Sequence, residues 1–499
     1  MDPAPRPNSS SSRLDRALTV LLLLGAVGYS IFLYRNGSPH AAGADSSGYL
    51  NTAHLLEQGQ FFGAVRAPAG HGHASFSLGA FQPLGFTVDP KVPRMAPTYP
   101  LGLPLHLLVA AQLGGWDRAA LLVNVFAALG SGGLLWLLAR HLGFPPAWAA
   151  VAVGWLWLCP QFVFCALQPM SDSLALLWSL AVLYPALRSR DGVGWCLACG
   201  AALALAVLVR PTNALLFLPV LAAVGFQPLR LLWLGLGGVP GAIFLGYYNY
   251  RVYGAVVTTG YGDVGSAFST GYLLHNLGPI FRWIPGLLSP LVGAVLAWPF
   301  LPGRSTREAR ILAGWALLLI GFYAFYFHTG ETWWYLRFLL PAFPLLILGA
   351  IAVWRKIPAR TRAGQVCVLG AVLVLSAAWE IKFNRILHPV GIAAEERSYR
   401  QSADWARQHL PADSAIFCMQ VSGAFYFYTD FLLVRWDQIE PAYIGPLLQV
   451  LQDQHRPVYA MLYEFERPDA LPRLGGKWTE LAKAGHTTVW RLDSSPASP

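Results

Sequence analysis

The sequence predicts a multi-pass membrane protein built mainly of helices, with a small α/β domain at its C-terminal end. Only 12% of the 499 residues are Asp, Glu, Lys or Arg, whereas 55% are hydrophobic and the mean hydropathy is +0.46. A typical soluble domain carries about 25% charged residues, so this chain has too few polar groups to cover a water-facing surface. Two other observations support this fold class. Apolar runs long enough to cross a bilayer recur along the chain, and the composition changes near residue 384.

Eleven apolar segments are predicted to cross the membrane as helices, because each approaches the length that the hydrocarbon core requires. A further segment at 97–115 is apolar but short and holds Pro97, Pro100 and Pro104, so we expect it to be partly embedded or re-entrant. The eleven predicted spans are about 15–34, 118–139, 146–167, 172–188, 193–209, 211–227, 230–250, 283–302, 310–328, 336–354 and 363–382.

Arginine placement predicts which side each connection faces. The net charge is +10, but the basic residues gather in short gaps between apolar runs, which is typical of cytoplasmic loops and not of a nucleic-acid surface. We therefore expect a plasma (inner) membrane protein with its N-terminus in the cytoplasm, an extracytoplasmic tail and no nucleic-acid partner. The predicted cytoplasmic gaps are 140–145, 188–192, 227–230, 302–310 and 355–362.

The predicted organisation has two parts. Residues 1–383 form the transmembrane domain, in which 35–117 is the first outer loop with its juxtamembrane helices, and residues 384–499 form the extracytoplasmic α/β domain. Alternation of amphipathic helices and buried strands in the tail predicts that domain. Its predicted helices are 398–409 and 443–455, its predicted strands are 415–419, 457–463 and 487–492, and 493–499 is expected to be disordered.

The first predicted outer loop contains a carboxylate beside a helical pattern. Asp45 precedes Tyr49, Ala53 and Leu56, which recur at helical spacing. Two interpretations stay open from the residues alone. Asp45 can cap the N-terminus of that helix, or it can take a proton from an acceptor hydroxyl at the membrane face.

Basic residues in two places are candidates to bind a phosphate. Lys91 and Arg94 lie in the same outer loop, where the alternative is an ordinary solvated loop. Arg210 stands between two apolar runs, where it needs an anionic partner. A lipid phosphate and the carboxylate of Asp172, which otherwise reads as a helix cap, are both suitable partners.

Aromatic residues accompany the remaining charged candidates. Glu331, Tyr335 and Arg337 lie in an aromatic segment, and Tyr99 and Tyr261 lie in outer loops. Such aromatics either form the belt at the membrane interface or stack on a sugar ring. The sequence contains no Walker A motif, no GxGxxG after a strand, no HExxH and no DxD pair, an absence that suits a lipid phosphate as donor.

Taken together, these pieces resemble the GT-C superfamily of membrane glycosyltransferases, in particular bacterial members similar to protein mannosyltransferases and aminoarabinose transferases. The resemblance covers most of the chain. The matching pieces occur in the expected order, and all are predicted to lie on the outer side of the membrane. The matching pieces are Asp45-Ser-Ser-Gly-Tyr49, Pro97-Thr-Tyr99-Pro100-Leu-Gly102-Leu-Pro104, Gln168-Pro-Met-Ser-Asp172, Arg210-Pro-Thr-Asn213 and Tyr335-Leu-Arg337-Phe-Leu-Leu-Pro341.

The resemblance implies an inverting displacement that moves a sugar from a polyprenyl-phosphate donor to a lipid, glycan or protein acceptor. Asp45 resembles the family's first-loop acidic residue, and Arg210 and Arg337 resemble cations that neutralise the leaving phosphate. Many relatives have Asp-Glu where Asp45 is followed by Ser46, so the participation of a divalent metal or a second carboxylate is left open.

Two other functions remain as alternatives. One is a multi-pass lipid or solute transporter, or flippase, without chemistry, although transporters tend to place polar residues and broken helices at the midplane of the membrane. The other is a polymerase or ligase that uses a glycan donor.

Overall fold

The computed structural model describes residues 9–72, 75–88, 94–300, 306–357 and 361–493, and most of them lie in helices. The helices up to the tail are α1 (Ser9–Asn36), α2 (Asp45–Glu57), α3 (Gly102–Gly114), α4 (Trp116–His141), α5 (Pro146–Leu158), α6 (Pro160–Ala166), α7 (Ser171–Leu187), α8 (Val193–Val209), α9 (Phe217–Val224), α10 (Pro228–Tyr253), α11 (Tyr272–Leu287), α12 (Arg307–Ala324), α13 (Phe343–Trp354) and α14 (Arg362–Leu387). Segments of 3-10 helix lie at Pro211–Leu216, Val264–Ala267, Pro290–Phe300 and Trp333–Ala342.

The protein is an integral membrane protein by the length and apolarity of its helices. In the described ranges four helical stretches are long and apolar enough to cross a membrane, or six if each of two bent pairs counts as one span. The four are Trp116–His141, Pro228–Tyr253, Trp333–Trp354 and Ala363–His409. Shorter apolar helices occupy most of the other predicted spans, so the count of eleven crossings stays a prediction.

The predicted span at about 283–302 is wrong as a single helix. Helix α11 already begins at Tyr272, inside the predicted outer loop, and the following segment Pro290–Phe300 is bent from it by 108°. The bend follows from Ser289, whose φ is 64°, and from Pro290, which cannot donate a backbone hydrogen bond.

A second predicted span, about 146–167, is also interrupted. Helices α5 and α6 meet at 64°, with Cys159 in extended geometry before Pro160. A proline disfavours helical geometry in the residue before it, which explains the position of the break.

Side chains of α5 and α14 satisfy carbonyl groups that these two breaks leave free. The indole Nε1 of Trp155 donates to the carbonyl of Leu288 at 2.8 Å and to Oε1 of the buried Glu380 at 3.2 Å. Nδ2 of Asn384 donates to the carbonyl of Leu158 at 2.7 Å. Irregular backbone at membrane depth needs such partners, so α14 joins the two bent pairs.

The tail is a mixed sheet covered by helices on both faces. Its strand order is β5-β4-β6-β8-β7, with β4 parallel to both neighbours and β8 antiparallel to both of its own. Its elements are α15 (Pro389–Glu395), α16 (Arg397–His409), β4 (Ala415–Cys418), α17 (Ser422–Tyr428), β5 (Leu432–Arg435), α18 (Pro441–Asp453), β6 (Val458–Tyr463), α19 (Arg467–Leu474), β7 (Trp478–Ala484) and β8 (Thr487–Leu492).

All five predicted tail elements are present within two residues of their predicted ends. The prediction missed α15, α17, α19, β5 and β7. Strand β5 has only four residues, and β7 contains Glu480 and Lys483, so neither shows the alternation that identifies a strand. The expected disorder at 494–499 lies outside the described residues.

The tail packs against the first loop and α2. That loop forms a small antiparallel sheet of order β1-β3-β2, comprising β1 (Gly63–Ala64), β2 (Phe86–Val88) and β3 (Arg94–Pro97). Phe76 and Phe81 of the loop are buried in the core of the tail sheet. On α2, Nδ2 of buried Asn51 donates to the carbonyl of Gly423 at 2.9 Å. The tail therefore braces the helix that begins at Asp45.

Candidate active site

Asp45 is the first residue of α2, and its side chain binds a cation. The N-cap position belongs to Ala44, whose side chain cannot cap. One carboxylate oxygen of Asp45 accepts a hydrogen bond from Nη2 of Arg337 at 2.7 Å. The capping interpretation therefore does not describe this side chain, although a negative charge in the first turn still suits the helix dipole.

Arg337 reaches Asp45 from the 3-10 segment Trp333–Ala342. Its side chain is only 14% exposed, and Nη1 lies 3.5 Å from the sulfur of Met170. Its Nε has no hydrogen-bond partner among the described residues. A buried guanidinium thus holds Asp45 while keeping one donor unused.

A second ion pair lies beside the first. Arg210 follows the last residue of α8, and its Nη2 donates to Asp172 at 2.6 Å and to Ser171 at 3.5 Å. Asp172 therefore serves as a partner of Arg210, one of the two partners that the sequence suggested. Within the described part of the chain, Nη1 of Arg210 is buried without a partner.

Phe338 joins the two pairs. The guanidinium carbon of Arg210 lies 5.2 Å from the centre of its ring, and that of Arg337 lies 5.3 Å from the same centre. Sequence reasoning did not select Phe338, Ser171 or Met170, although Phe338 and Ser171 directly neighbour selected residues and Met170 lies two positions before Asp172. The three charged residues on which the resemblance depends thus meet in one cluster.

Three tyrosines surround the carboxylate side of this cluster. The hydroxyl of Tyr49 donates to Ser171 at 2.9 Å, and its ring lies 4.9 Å from that of Tyr99. The ring of Tyr99 lies 6.1 Å from that of Tyr261, which is half-exposed. Gly48 makes room for Tyr99, since a Cβ at that position would meet the tyrosine ring.

The electrostatics keep Asp45 ionised. Burial is the largest single effect and opposes the charge, but the positive charge of Arg337 and the hydrogen bonds from Tyr99 and Arg337 together outweigh it. Together they hold the pKa of Asp45 below its ordinary value. Burial and the negative charge of Asp45 raise the pKa of Tyr99, so its phenol remains a donor.

Glu331 and Tyr335 lie on a neighbouring segment and contact one another through a histidine. Glu331 accepts a hydrogen bond at 2.8 Å from Nδ1 of His328. The ring of His328 stacks on Tyr335 at 4.6 Å with an angle of 2°. Neither residue contacts Asp45 through a described hydrogen bond. Glu331 instead lines an open space beside this segment.

That space is a cavity of about 470 Å³ between α11 and the segment that leads to Arg337. It lies within the range of small-molecule sites, and its walls combine indole rings with both signs of charge. The sequence analysis missed the α11 side of this cavity because it predicted no helix between the spans 230–250 and 283–302. Its lining is Gly278, Pro279, Arg282, Trp283, Gly330, Glu331, Thr332, Trp333 and Trp334.

The two basic residues predicted in the first loop do not take part in the described contacts of the cluster. The guanidinium of Arg94 lies over the ring of Phe62, 3.7 Å from its centre, at the start of β3. Lys91 lies outside the described residues. Their predicted binding of phosphate therefore remains a prediction from sequence.

Over the described ranges, no three His, Cys, Asp or Glu side chains gather closely enough to hold a metal ion. The six cysteines are unpaired, and Cys196 and Cys199 are buried in α8. The side chains that contact Asp45 are the guanidinium of Arg337 and the phenol of Tyr99, and such groups are suited to binding an anion.

Comparison with solved structures identifies the fold. No protein-family model matches the chain, and no curated protein sequence matches it. The structure of ArnT from Cupriavidus metallidurans bound to undecaprenyl phosphate superposes with a TM-score of 0.64 and 15% identity, covering 96% of this chain and 99% of ArnT.

Two larger proteins share the same architecture. The arabinofuranosyltransferase AftD from mycobacteria superposes with a TM-score of 0.54 and 12% identity over 96% of this chain and 42% of AftD. The archaeal oligosaccharyltransferase AglB from Archaeoglobus fulgidus, in complex with an inhibitory peptide and a dolichol-phosphate, gives 0.52 and 13% over 96% and 74%. The chain therefore has a GT-C-like fold.

Proposed function

We propose that this protein is a glycosyltransferase that moves a sugar from a polyprenyl-phosphate donor to an acceptor hydroxyl at the outer face of the membrane. One observation carries the proposal. Arg337 pairs with Asp45 at the start of α2 and Arg210 pairs with Asp172 at the start of α7, and among the described residues each arginine keeps one buried N–H without a partner. Buried donors without partners are costly, so such a pair favours an anionic ligand.

The two guanidinium groups bind the phosphate of the carrier lipid. Each binds a carboxylate through Nη2 and, among the described residues, has another buried N–H without a partner, so a phosphate can bind without displacing Asp45 or Asp172. During the reaction negative charge develops on the leaving phosphate oxygen. Fixed cations at that oxygen stabilise the transition state more than the ground state.

Asp45 accepts the proton of the acceptor. The acceptor oxygen forms a bond to the anomeric carbon as the bond to the phosphate oxygen breaks, and that oxygen keeps the electron pair. The proton of the hydroxyl passes to Asp45. As the phosphate gains charge it competes for Arg337, which weakens the hold of Arg337 on Asp45 and makes the carboxylate a stronger base. A single displacement inverts the anomeric configuration.

The fold and the sequence support a polyprenyl phosphate as the carrier lipid. ArnT is bound to undecaprenyl phosphate and AglB to a dolichol-phosphate in the structures that superpose on this chain, which supports a polyprenyl phosphate here. Arginine-rich gaps on the opposite side of the predicted spans support an outer active site in the plasma (inner) membrane. The cavity lined by Trp283, Trp334 and Glu331 offers ring surfaces and a carboxylate for a sugar.

Turnover of a polyprenyl-phosphate sugar by the purified protein tests the proposal. Wild-type protein in detergent or liposomes is expected to release polyprenyl phosphate and to glycosylate an added acceptor. Asp45→Asn should lower kcat by about 10²- to 10⁴-fold, the usual contribution of a general base. Asp430→Asn is the matched control, because this exposed carboxylate of the tail has no part in the cluster.

Thermal melting of each variant separates chemistry from folding. Full activity in Asp45→Asn would remove Asp45 from the mechanism. Absence of product from wild-type protein with several polyprenyl-phosphate sugars, together with movement of the lipid between leaflets, would replace the proposal with transport.

Transport is the second candidate because of one structural feature. Two bent helix pairs and the buried carboxylate of Glu380 meet within the bundle, as broken helices do around the sites of transporters. The residues beside Asp45 nevertheless favour an enzyme. Transport alone does not need a carboxylate paired with an arginine, nor two guanidinium N–H groups that have no partner among the described residues.

A further inference from the structure

A second carboxylate lies next to the start of α2, and the tail supplies it. Glu396 occupies the turn between α15 and α16. Its carboxyl group contacts the hydroxyls of Ser38 and Ser46, and the charge of Asp45 acts on it. The residue after Asp45 is Ser46, so the second carboxylate beside Asp45 comes from a distant part of the chain.

The surroundings of Glu396 favour its protonated form. Both serines are buried, and Oε2 of Glu396 is buried without a hydrogen-bond partner in the described part of the chain. A buried carboxylate oxygen with no partner is unfavourable when charged. Among the described residues, the ionisable groups coupled to Glu396 are Asp45 from α2 and the phenol of Tyr399 from α16.

We infer that Glu396 is a positioning residue that acts through Asp45 by holding a proton when Asp45 is ionised and releasing it when Asp45 is protonated. This inference rests on the proposed function. Two neighbouring carboxylates titrate as a coupled pair, so a proton gained by one makes the other more acidic. The pair thus passes one proton on to water for each acceptor hydroxyl that reacts.

Before reaction the pair holds one proton, on Glu396, and Asp45 is negative. Asp45 then receives the proton of the acceptor hydroxyl and becomes neutral, and Glu396 gives its proton to water. Return of the proton from Asp45 to Glu396 restores the first state, with the buried hydroxyl of Ser46 in contact with Glu396.

The pH dependence of this pair has a definite sign. Burial, followed by the charge of Asp45, raises the pKa of Glu396 to about 8. Below that pH Glu396 is neutral, and above it both carboxylates are negative, which makes Asp45 a stronger base. We therefore expect kcat of the wild type to rise as the pH increases through about 8.

Glu396→Gln tests the inference, because it keeps the shape of the side chain and removes the titration. We expect kcat at neutral pH to fall by on the order of tenfold, less than for loss of a direct base. The rise of kcat near pH 8 should disappear while KM for the donor stays unchanged. Glu395→Gln, the exposed neighbour, is the matched control and should keep the wild-type pH profile.

Two readouts do not need activity. In the folded protein the pKa of Glu396 lies above its unfolded value, so wild-type stability is penalised progressively from about pH 4 to about pH 8. The melting temperature of Glu396→Gln should therefore exceed that of the wild type by a margin that grows over this range. Infrared titration should show a protonated carboxyl that Glu396→Gln lacks.

Asp45→Asn separates this inference from the proposed function. Loss of the neighbouring negative charge should move the infrared titration of Glu396 to lower pH, whether or not the wild type turns over any donor. An unmoved titration, or identical pH profiles for the wild type and Glu396→Gln, would overturn the inference. Absence of wild-type turnover with a shifted titration would overturn the proposed function alone.

Discussion

At the scale of single residues, the cluster is two ion pairs that share one aromatic ring. Asp172 is nearly fully buried and Asp45 is 29% exposed, so the two carboxylates differ in access although each binds an arginine. A buried pair gains little net stability, because desolvation offsets the attraction, whereas loss of one partner is strongly unfavourable. Asp172 therefore suits a fixed structural role, and Asp45 suits contact with a substrate.

Replacement of Arg337 should change the pH dependence as well as the rate. Arg337 lowers the pKa of Asp45, so Arg337→Gln should move the acidic limb of kcat/KM to higher pH. The measurement is kcat/KM across pH with a polyprenyl-phosphate sugar. Arg118→Gln, which changes an exposed arginine outside the cluster, should leave the limb where it is.

An acidic limb that does not move in Arg337→Gln would show that another group governs it. Loss of activity at every pH with a normal melting temperature would indicate that binding of phosphate, and not the state of Asp45, dominates the contribution of Arg337.

At the scale of elements, α2 sets the geometry of the carboxylate side. It begins at Asp45, and its small residue Gly48 allows the Tyr99 ring and the backbone of Gly85 to approach the helix. Gly85 itself has a φ of 92°, which a residue with a side chain adopts only with strain. Two glycines thus bring the loop that carries Tyr99 against the first turn of α2.

Gly48→Ala should disturb this contact. The added methyl group would meet the Tyr99 ring, and the rearrangement should cost roughly 1–3 kcal/mol and draw the phenol away from Asp45. We expect a lower melting temperature and a lower kcat. Gly154→Ala in α5 is the control, because nothing lies within 4 Å of its added Cβ. Equal activity of the two variants would contradict the proposed contact.

At the scale of the whole molecule, the tail is part of the site and not an appendage. It holds α2 through Asn51, buries Phe76 and Phe81 of the first loop, and brings Glu396 to the carboxylate. A domain that contacts α2 in this way supports the candidate site even when it binds no substrate itself.

Asn51→Leu tests the attachment of the tail. It removes the buried hydrogen bond between α2 and the carbonyl of Gly423, which should cost about 0.5–1.5 kcal/mol. We expect faster proteolysis within 384–499 and a lower melting temperature. Gln60→Leu, at an exposed position, should do neither. Unchanged proteolysis in Asn51→Leu would mean that other contacts carry the attachment.

Much of the fold was predictable because hydropathy is a local property. Helix α8 occupies the predicted span 193–209, and β8 the predicted strand 487–492, since each has an unbroken apolar or alternating pattern. The bend after Leu287 was not predictable from hydropathy, because the apolar residues continue through it. Proline marks a possible break, but only packing decides the angle.

By itself the sequence determined that the chain is a membrane protein, which residues are charged beside apolar runs, and that a small α/β domain follows. The reason is that a charge in hydrocarbon is unfavourable wherever the chain folds, so Asp45, Arg210 and Arg337 stand out without coordinates. The tertiary structure alone decided that these residues meet around Phe338 and that Glu396 joins them. Asp45 and Arg337 are 292 positions apart in the chain, so their contact depends on how helices pack, and no local pattern encodes that packing.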